Sequence, residues 1–210
     1  MNKSLQLLIA ILFATVSITA QTIYDVQPGT KGNRITLTVS NISEISPVED
    51  VEVRLIKKSF SLLFNKESEN IERIDANKET DVVFTFNVNR DAPVNIKDTI
   101  EFMITNGKEL MKKKTFIFNY TGPKEFKLEQ NYPNPFNPTT TIQYQLPAMS
   151  KVTLKVYDIF GSEVATLINE EQEAGYKEVE FNGSSIASGM YIYRLTAGSF
   201  SIIKKMILVK

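Results

Sequence analysis

Apolar and polar residues alternate with a period of two through most of this chain. Ile35, Leu37 and Val39 are separated by polar neighbours, as are Val51, Val53 and Leu55. The same holds for Val82, Phe84, Phe86 and Val88, for Ile100, Phe102 and Ile104, and for Phe116, Phe118 and Tyr120. Such spacing puts each apolar set on one face of a strand, as a half-buried sheet requires. Asn106-Gly107, between two of these runs, predicts a tight hairpin because both residues tolerate positive φ. Phe60 to Phe64 fits either a strand or a short helical turn. Several short strands with no helical period predict a β-sandwich.

Thr121-Gly122-Pro123-Lys124 interrupts the alternation, and a new composition begins beyond it. Residues 131–138 read Asn-Tyr-Pro-Asn-Pro-Phe-Asn-Pro. Pro133, Pro135 and Pro138 fix φ and deny backbone donors, so this stretch is neither helix nor central strand. Asn134 and Asn137 suit turns, and Phe136 is the side chain to bury beneath them. Alternation then resumes at Thr140, Ile142, Tyr144 and Leu146, and at Val152, Leu154 and Val156. Asp158-Ile159-Phe160-Gly161 predicts a hairpin turn, and Glu170, Glu171 and Glu173 a solvated loop closed by Gly175. Val179 and Phe181 run to an Asn182-Gly183 turn. Tyr191, Tyr193 and Leu195 follow, and after Ala197-Gly198 a last strand spans Phe200 to Val209.

The N-terminus has a different pattern. Lys3 precedes a mostly apolar stretch from Leu5 to Val16, and small and polar residues follow up to Ala20. This is the layout of a secretory signal peptide cut between Ala20 and Gln21. The predicted organisation is all-β: a signal peptide (1–20), an immunoglobulin-like antiparallel β-sandwich (21–122), a linker (123–125) and a second tandem sandwich (126–210). No later apolar run is long enough for a transmembrane helix.

Composition narrows the chemistry. The chain has 210 residues, 24 basic and 24 acidic, and no Cys, His or Trp. Loss of Lys3 with the leader leaves 23 basic against 24 acidic side chains, so nucleic acid is not an expected partner. Without Cys or His there is no zinc site, thiol nucleophile or Ser-His-Asp triad, and no cofactor is expected. An exported chain without disulfides relies on apolar cores, so each domain needs roughly 80 residues or more. Lys112, Lys113 and Lys114 suit an exposed sheet edge.

From Phe126 to Lys210 the chain resembles the type A C-terminal sorting domain of the type IX (Por) secretion system. The resemblance rests on residues 131–138, on Val156-Tyr157-Asp158 with Gly161, and on Gly175 before an aromatic. Ser188-Gly189-Met190-Tyr191 with Arg194-Leu195 and the closing Lys204-Lys205-Met206-Ile207-Leu208-Val209-Lys210 complete it. The same stretch is similar to the immunoglobulin-like domain of flagellar hook-capping proteins. The sorting-domain resemblance implies export through the periplasm and then across the outer membrane by the type IX machinery, to the cell surface or medium of a Bacteroidetes-type bacterium. In that family the domain is often removed, and the cargo is released or attached to surface lipopolysaccharide. Carried over residue by residue, the recognised elements are Gly189, Tyr191 and the strand Lys204, Lys205, Met206, Ile207, Leu208, Val209 and Lys210. Residues 133–138 are expected to build the domain rather than to be read.

Residues 21–122 resemble the immunoglobulin-like modules that accompany such sorting domains. Their carboxylates are scattered, and no spacing singles out a catalytic pair. Glu49-Asp50 could contribute to a calcium site, though paired acids before a strand ordinarily stay solvated. Asp98-Thr99-Ile100 resembles a three-residue bacterial O-glycosylation pattern. The expectation is a non-enzymatic exported protein. The alternative is a surface binding module whose first sandwich grips a polysaccharide or protein.

Overall fold

A computed structural model describes residues 4–10, 23–107 and 109–210, and every one of its elements is a strand. The expected Ala20–Gln21 cut lies outside the described residues. The chain divides into two compact units, Met1–Thr121 and Gly122–Lys210.

In the first unit, β1 (Ser4–Ala10), β3 (Asn33–Ser40), β7 (Glu79–Val88) and β5 (Leu62–Phe64) form one sheet, in the order β1-β3-β7-β5. The backbone of β1, drawn from the start of the expected leader, lies parallel to β3 with Leu5 opposite Ile35. The second sheet contains β2 (Ile23–Val26), β4 (Val48–Lys57), β6 (Ser68–Ile74), β8 (Lys97–Asn106) and β9 (Glu109–Tyr120). Its order is β2-β9-β8-β4-β6.

The alternating side chains meet between these sheets. Ile35, Leu37, Phe84 and Phe86 of one sheet pack with Val53, Phe102, Ile104 and Phe118 of the other. The rings of Phe84 and Phe102 lie 4.6 Å apart, and Phe86 meets Phe118 edge-on at 5.6 Å. Each such side chain stabilises the fold by roughly 1.5–3 kcal/mol through burial. Asn106 and Gly107 make the turn between β8 and β9, with Gly107 at φ +58°. Residues 62–64 are a short strand, and Phe60 stands fully exposed in the turn before it. β2 covers β9 only from Ile117 to Tyr120, which leaves Lys112 and Lys113 on an uncovered length of that strand.

The second unit pairs two smaller sheets. β10 (Lys127–Leu128), β11 (Thr139–Leu146) and β14 (Gly175–Asn182) form one. β13 (Glu163–Gln172), β12 (Ser150–Tyr157), β15 (Gly189–Ala197) and β16 (Phe200–Leu208) form the other, in that order. Ile142, Tyr144 and Leu146 face Val152, Leu154, Val156, Tyr193 and Leu195 across the core. Glu170 and Glu171 correct the expected loop. They lie in β13, opposite Val152 and Lys151, because pairing to β12 holds an otherwise polar segment extended.

Candidate functional site

The terminal strand β16 is an edge strand of its sheet. An edge strand leaves every second residue's N–H and C=O pointing away from its neighbour. In β16 the even-numbered residues turn their side chains toward the core, with Met206 and Leu208 buried. The odd-numbered ones, Ile203, Lys205 and Ile207, face solvent. An open edge would suit strand addition, but the proline-rich segment already occupies the last half of it. Gln130 Nε2 donates to Lys205 O at 2.7 Å, and Ile207 N donates to Asn134 Oδ1 at 3.0 Å. Phe136 N donates to Ile207 O at 2.9 Å, and Val209 N donates to Phe136 O at 3.0 Å. Residues 130–136 thus act as a surrogate strand, parallel to β16 at Phe136–Leu208. Pro133 and Pro135 have no N–H to offer, so the cover does not itself extend the sheet.

Buried polar side chains hold this cover in place. Asn131 is 2% exposed. Its Nδ2 donates to Pro133 O and to Thr140 Oγ1, both at 3.0 Å, while the Thr140 hydroxyl donates to Pro133 O at 2.8 Å. The Asn131 amide donates to the Tyr193 hydroxyl at 2.9 Å, and that hydroxyl donates to Glu129 O at 2.9 Å. Burial pushes the Tyr193 phenol up to about 12, so it stays a neutral donor. Phe136 fills the space beneath the loop, against Phe181 at 6.0 Å between ring centroids. Gly183 sits so close that an added Cβ would lie 2.9 Å from Leu208 Cδ2 and 3.2 Å from Phe136 Cε2. Gly183 is therefore required by packing, not by positive φ.

Gly189 differs from Gly183. It adopts φ +154° with open space where a Cβ would stand, so its demand is on the backbone. Tyr191 is buried, and its hydroxyl donates to Ala187 O at 2.7 Å. Lys204 is half-buried on the inward row, whereas Lys205, Val209 and Lys210 are exposed. Lys210 is anchored, its N–H donating to Ser188 Oγ at 3.1 Å and its ammonium to Ser184 O at 2.8 Å. Pro133, Asn134, Pro135 and Asn137 are exposed, and Pro138 is half-buried with its carbonyl accepting from Gly183 N at 2.8 Å. Residues 130–136 and 205–209 are therefore joined by hydrogen bonds along the edge of the sheet. Sequence reading missed Gln130, Asn131, Thr140, Gly183 and Tyr193 as the parts that join them. The one available signal was the inward parity of Thr140 and Tyr193, polar groups that need partners when buried.

The first unit presents less. Tyr120 donates its hydroxyl to Asp98 Oδ2 at 3.1 Å and shares a hydrogen bond with Ser59 Oγ at 3.0 Å; burial raises its pKa. Lys57 Nζ donates to Thr99 Oγ1 at 2.6 Å. Glu49 is ion-paired with Arg73 at 3.3 Å. Among the described residues, no three carboxylates come close enough together to hold a metal ion, and no helix is long and apolar enough to cross a membrane.

Residues 130–210 match the family described as "Secretion system C-terminal sorting domain". The second unit therefore carries a sorting domain of the Por secretion type, covering about two-fifths of the chain. Such a tail marks a protein for export to the cell surface or the extracellular space.

Among solved structures, dimeric latent PorU from Porphyromonas gingivalis overlaps 94% of this chain at 15% identity, with a TM-score of 0.35. PorZ, a surface component of the type IX secretion system of the same organism, overlaps 52% at 20% identity and a TM-score of 0.30. The chain spans only 20% and 15% of those two proteins. The E. coli chaperone DraB overlaps 90% of this chain, over 96% of its own length, at 13% identity and a TM-score of 0.31. With TM-scores this low, the sandwich architecture rests on the strands themselves. No curated protein matches the chain.

Proposed function

We propose that this is a non-enzymatic exported protein whose second unit is read by the type IX secretion machinery and directs passage across the outer membrane. The supporting observation is the sorting-domain match over residues 130–210, which ends on a strand folded against its own cover. On this reading the N-terminal leader delivers the chain to the periplasm, where the second unit folds before it is recognised. Recognition then falls on what the fold displays: the outward side chains Lys205, Ile207 and Val209, not the buried Met206, Leu208 and Tyr191. Release, or attachment to lipopolysaccharide after removal of the unit, is the further step that the family resemblance implies.

The first unit serves as cargo or spacer. Among the described residues its aromatic rings pack against the core apart from Phe60, so no row of exposed rings there supports the polysaccharide-binding alternative.

Expression of the full chain in a bacterium with the type IX system, and in a strain lacking it, tests the proposal. Surface or extracellular protein in the first strain and periplasmic protein in the second is the expected result. Equal delivery in both overturns it. Mass measurement of the mature chain reports whether it starts at Gln21.

A further inference from the structure

The outward face of β15 and β16 mixes apolar and cationic side chains and carries no carboxylate. Across the two strands Met190 stands opposite Ile207, Ile192 opposite Lys205, and Arg194 opposite Ile203. Met190, Ile203 and Ile207 are 47%, 51% and 42% exposed, a concentration of large apolar groups that a lone solvated face does not need. The Arg194 guanidinium lies over the Tyr157 ring on β12, 5.2 Å from its centre. On β13, at the far edge of the sheet, the Glu163 carboxylate is taken up by Lys155 Nζ at 2.8 Å and by the Thr166 hydroxyl at 2.6 Å. No acidic side chain on these two strands neutralises Arg194 or Lys205.

We infer that this face is a docking surface for another protein, one that presents carboxylates set among apolar side chains. The inference rests on the export reading and names the part of the second unit that is read. Charge complementarity selects the occupant. A second copy, packed by the same patch, offers no carboxylate to Arg194 or Lys205. A lipid surface is disfavoured by the interleaving. Lys205 sits between Ile203 and Ile207 in one row, so burying the isoleucines in hydrocarbon carries the ammonium with them. A protein partner can place a carboxylate at each cation and an apolar group between them. The covered outer edge of β16 directs such a partner to the face, since the backbone of Ile207 is already engaged.

The test uses the full-length chain in the two strains above, with R194E/K205E added in the secreting strain. The expected result is a fall in surface delivery of about tenfold or more for the double variant, since like charge at a docking contact weakens binding at least that far. Equal delivery of the unaltered chain by both strains would overturn the export reading. Delivery that depends on the secretion system but is unchanged in R194E/K205E would overturn the docking face and leave export standing.

A photo-crosslinking amino acid in place of Ile203 reads the face without altering its charges. It should capture one other protein through an acidic peptide. Capture of a second copy, or of a neutral or basic peptide, would contradict the assignment. So would charge-dependent sedimentation of the purified chain with phosphatidylglycerol vesicles.

Discussion

The two units reach similar sandwiches by different means. The first is held mainly by rings: Phe64, Phe84, Phe86, Phe102, Phe116 and Phe118 form a continuous aromatic cluster between its sheets, beside buried hydrogen bonds between Ser59 and Tyr120 and from Asn41 to the Ile74 carbonyl. The second has only two buried phenylalanines, Phe136 and Phe181, and a buried hydrogen-bond network in which Asn131, Thr140 and Tyr193 hold a proline-rich segment that covers the last strand. Apolar packing is non-directional and tolerates volume-conserving exchange, whereas a buried hydrogen-bond network fails when one member is lost. The first unit should therefore absorb conservative substitutions. The second should respond sharply at a few positions, as suits a module whose surface must be displayed in one form.

The largest expected effect is Phe136→Ala. It empties the space beside Phe181, Leu208 and Gly183 and should cost the second unit about 3–5 kcal/mol in chemical denaturation. The first unit's transition should stay where it is, and a matched shift in both would break the comparison.

Tyr193→Phe comes next. It leaves the Asn131 amide and the Glu129 carbonyl without their partner, at a cost of about 1–3 kcal/mol, while an aromatic exchange such as Phe116→Leu should not reproduce a network loss. Gly183→Ala should lower the melting temperature of the second unit, because the added methyl meets Leu208 at 2.9 Å.

Alkaline pH separates the units by titration. Burial pushes the Tyr144 and Tyr193 phenols up to about 12 in the fold, against about 10 in the unfolded chain. A raised phenol pKa contributes stability that is fully present below pH ~10 and is lost as pH rises toward 12. The second unit, with two such phenols, should lose stability through this window more steeply than the first, where Tyr120 is the one raised phenol among the described residues. The smallest effect is expected at the exposed pairs of Arg73 with Glu49 and Asp75, where Arg73→Ala should leave the denaturation midpoint of the first unit nearly unchanged.

Alternation made most long strands legible in the sequence because each is half-buried, with Ile35, Val53, Phe84 and Leu154 marking the inward rows. It could not reveal β6. Only Ile71 and Ile74 of that strand are buried, and the rest is polar, so pairing with β4 rather than side-chain pattern keeps it extended. The tail of β13 was hidden for the same reason.

The sorting unit was legible as a set of motifs, but the joining of two of them was not. Gln130 meets Lys205 across 75 residues and Asn134 meets Ile207 across 73, and no local rule connects positions that far apart. Asn182-Gly183 looked like any turn, and only the approach of Leu208 and Phe136 explains that glycine.

The central claim is that the last half of the terminal strand is presented with its edge closed by the proline-rich segment rather than free. Residue-resolved amide hydrogen exchange of the full chain tests it most directly. Ile207 and Val209, whose N–H groups are bonded to Asn134 and to Phe136, should be strongly protected. Ser201 and Ile203, on the uncovered half of the same edge, should exchange much faster. In Asn134→Ala the protection of Ile207 should fall while Val209 keeps most of its own. Fast exchange at Ile207 and Val209, equal to that at Ser201 and Ile203, would contradict the account.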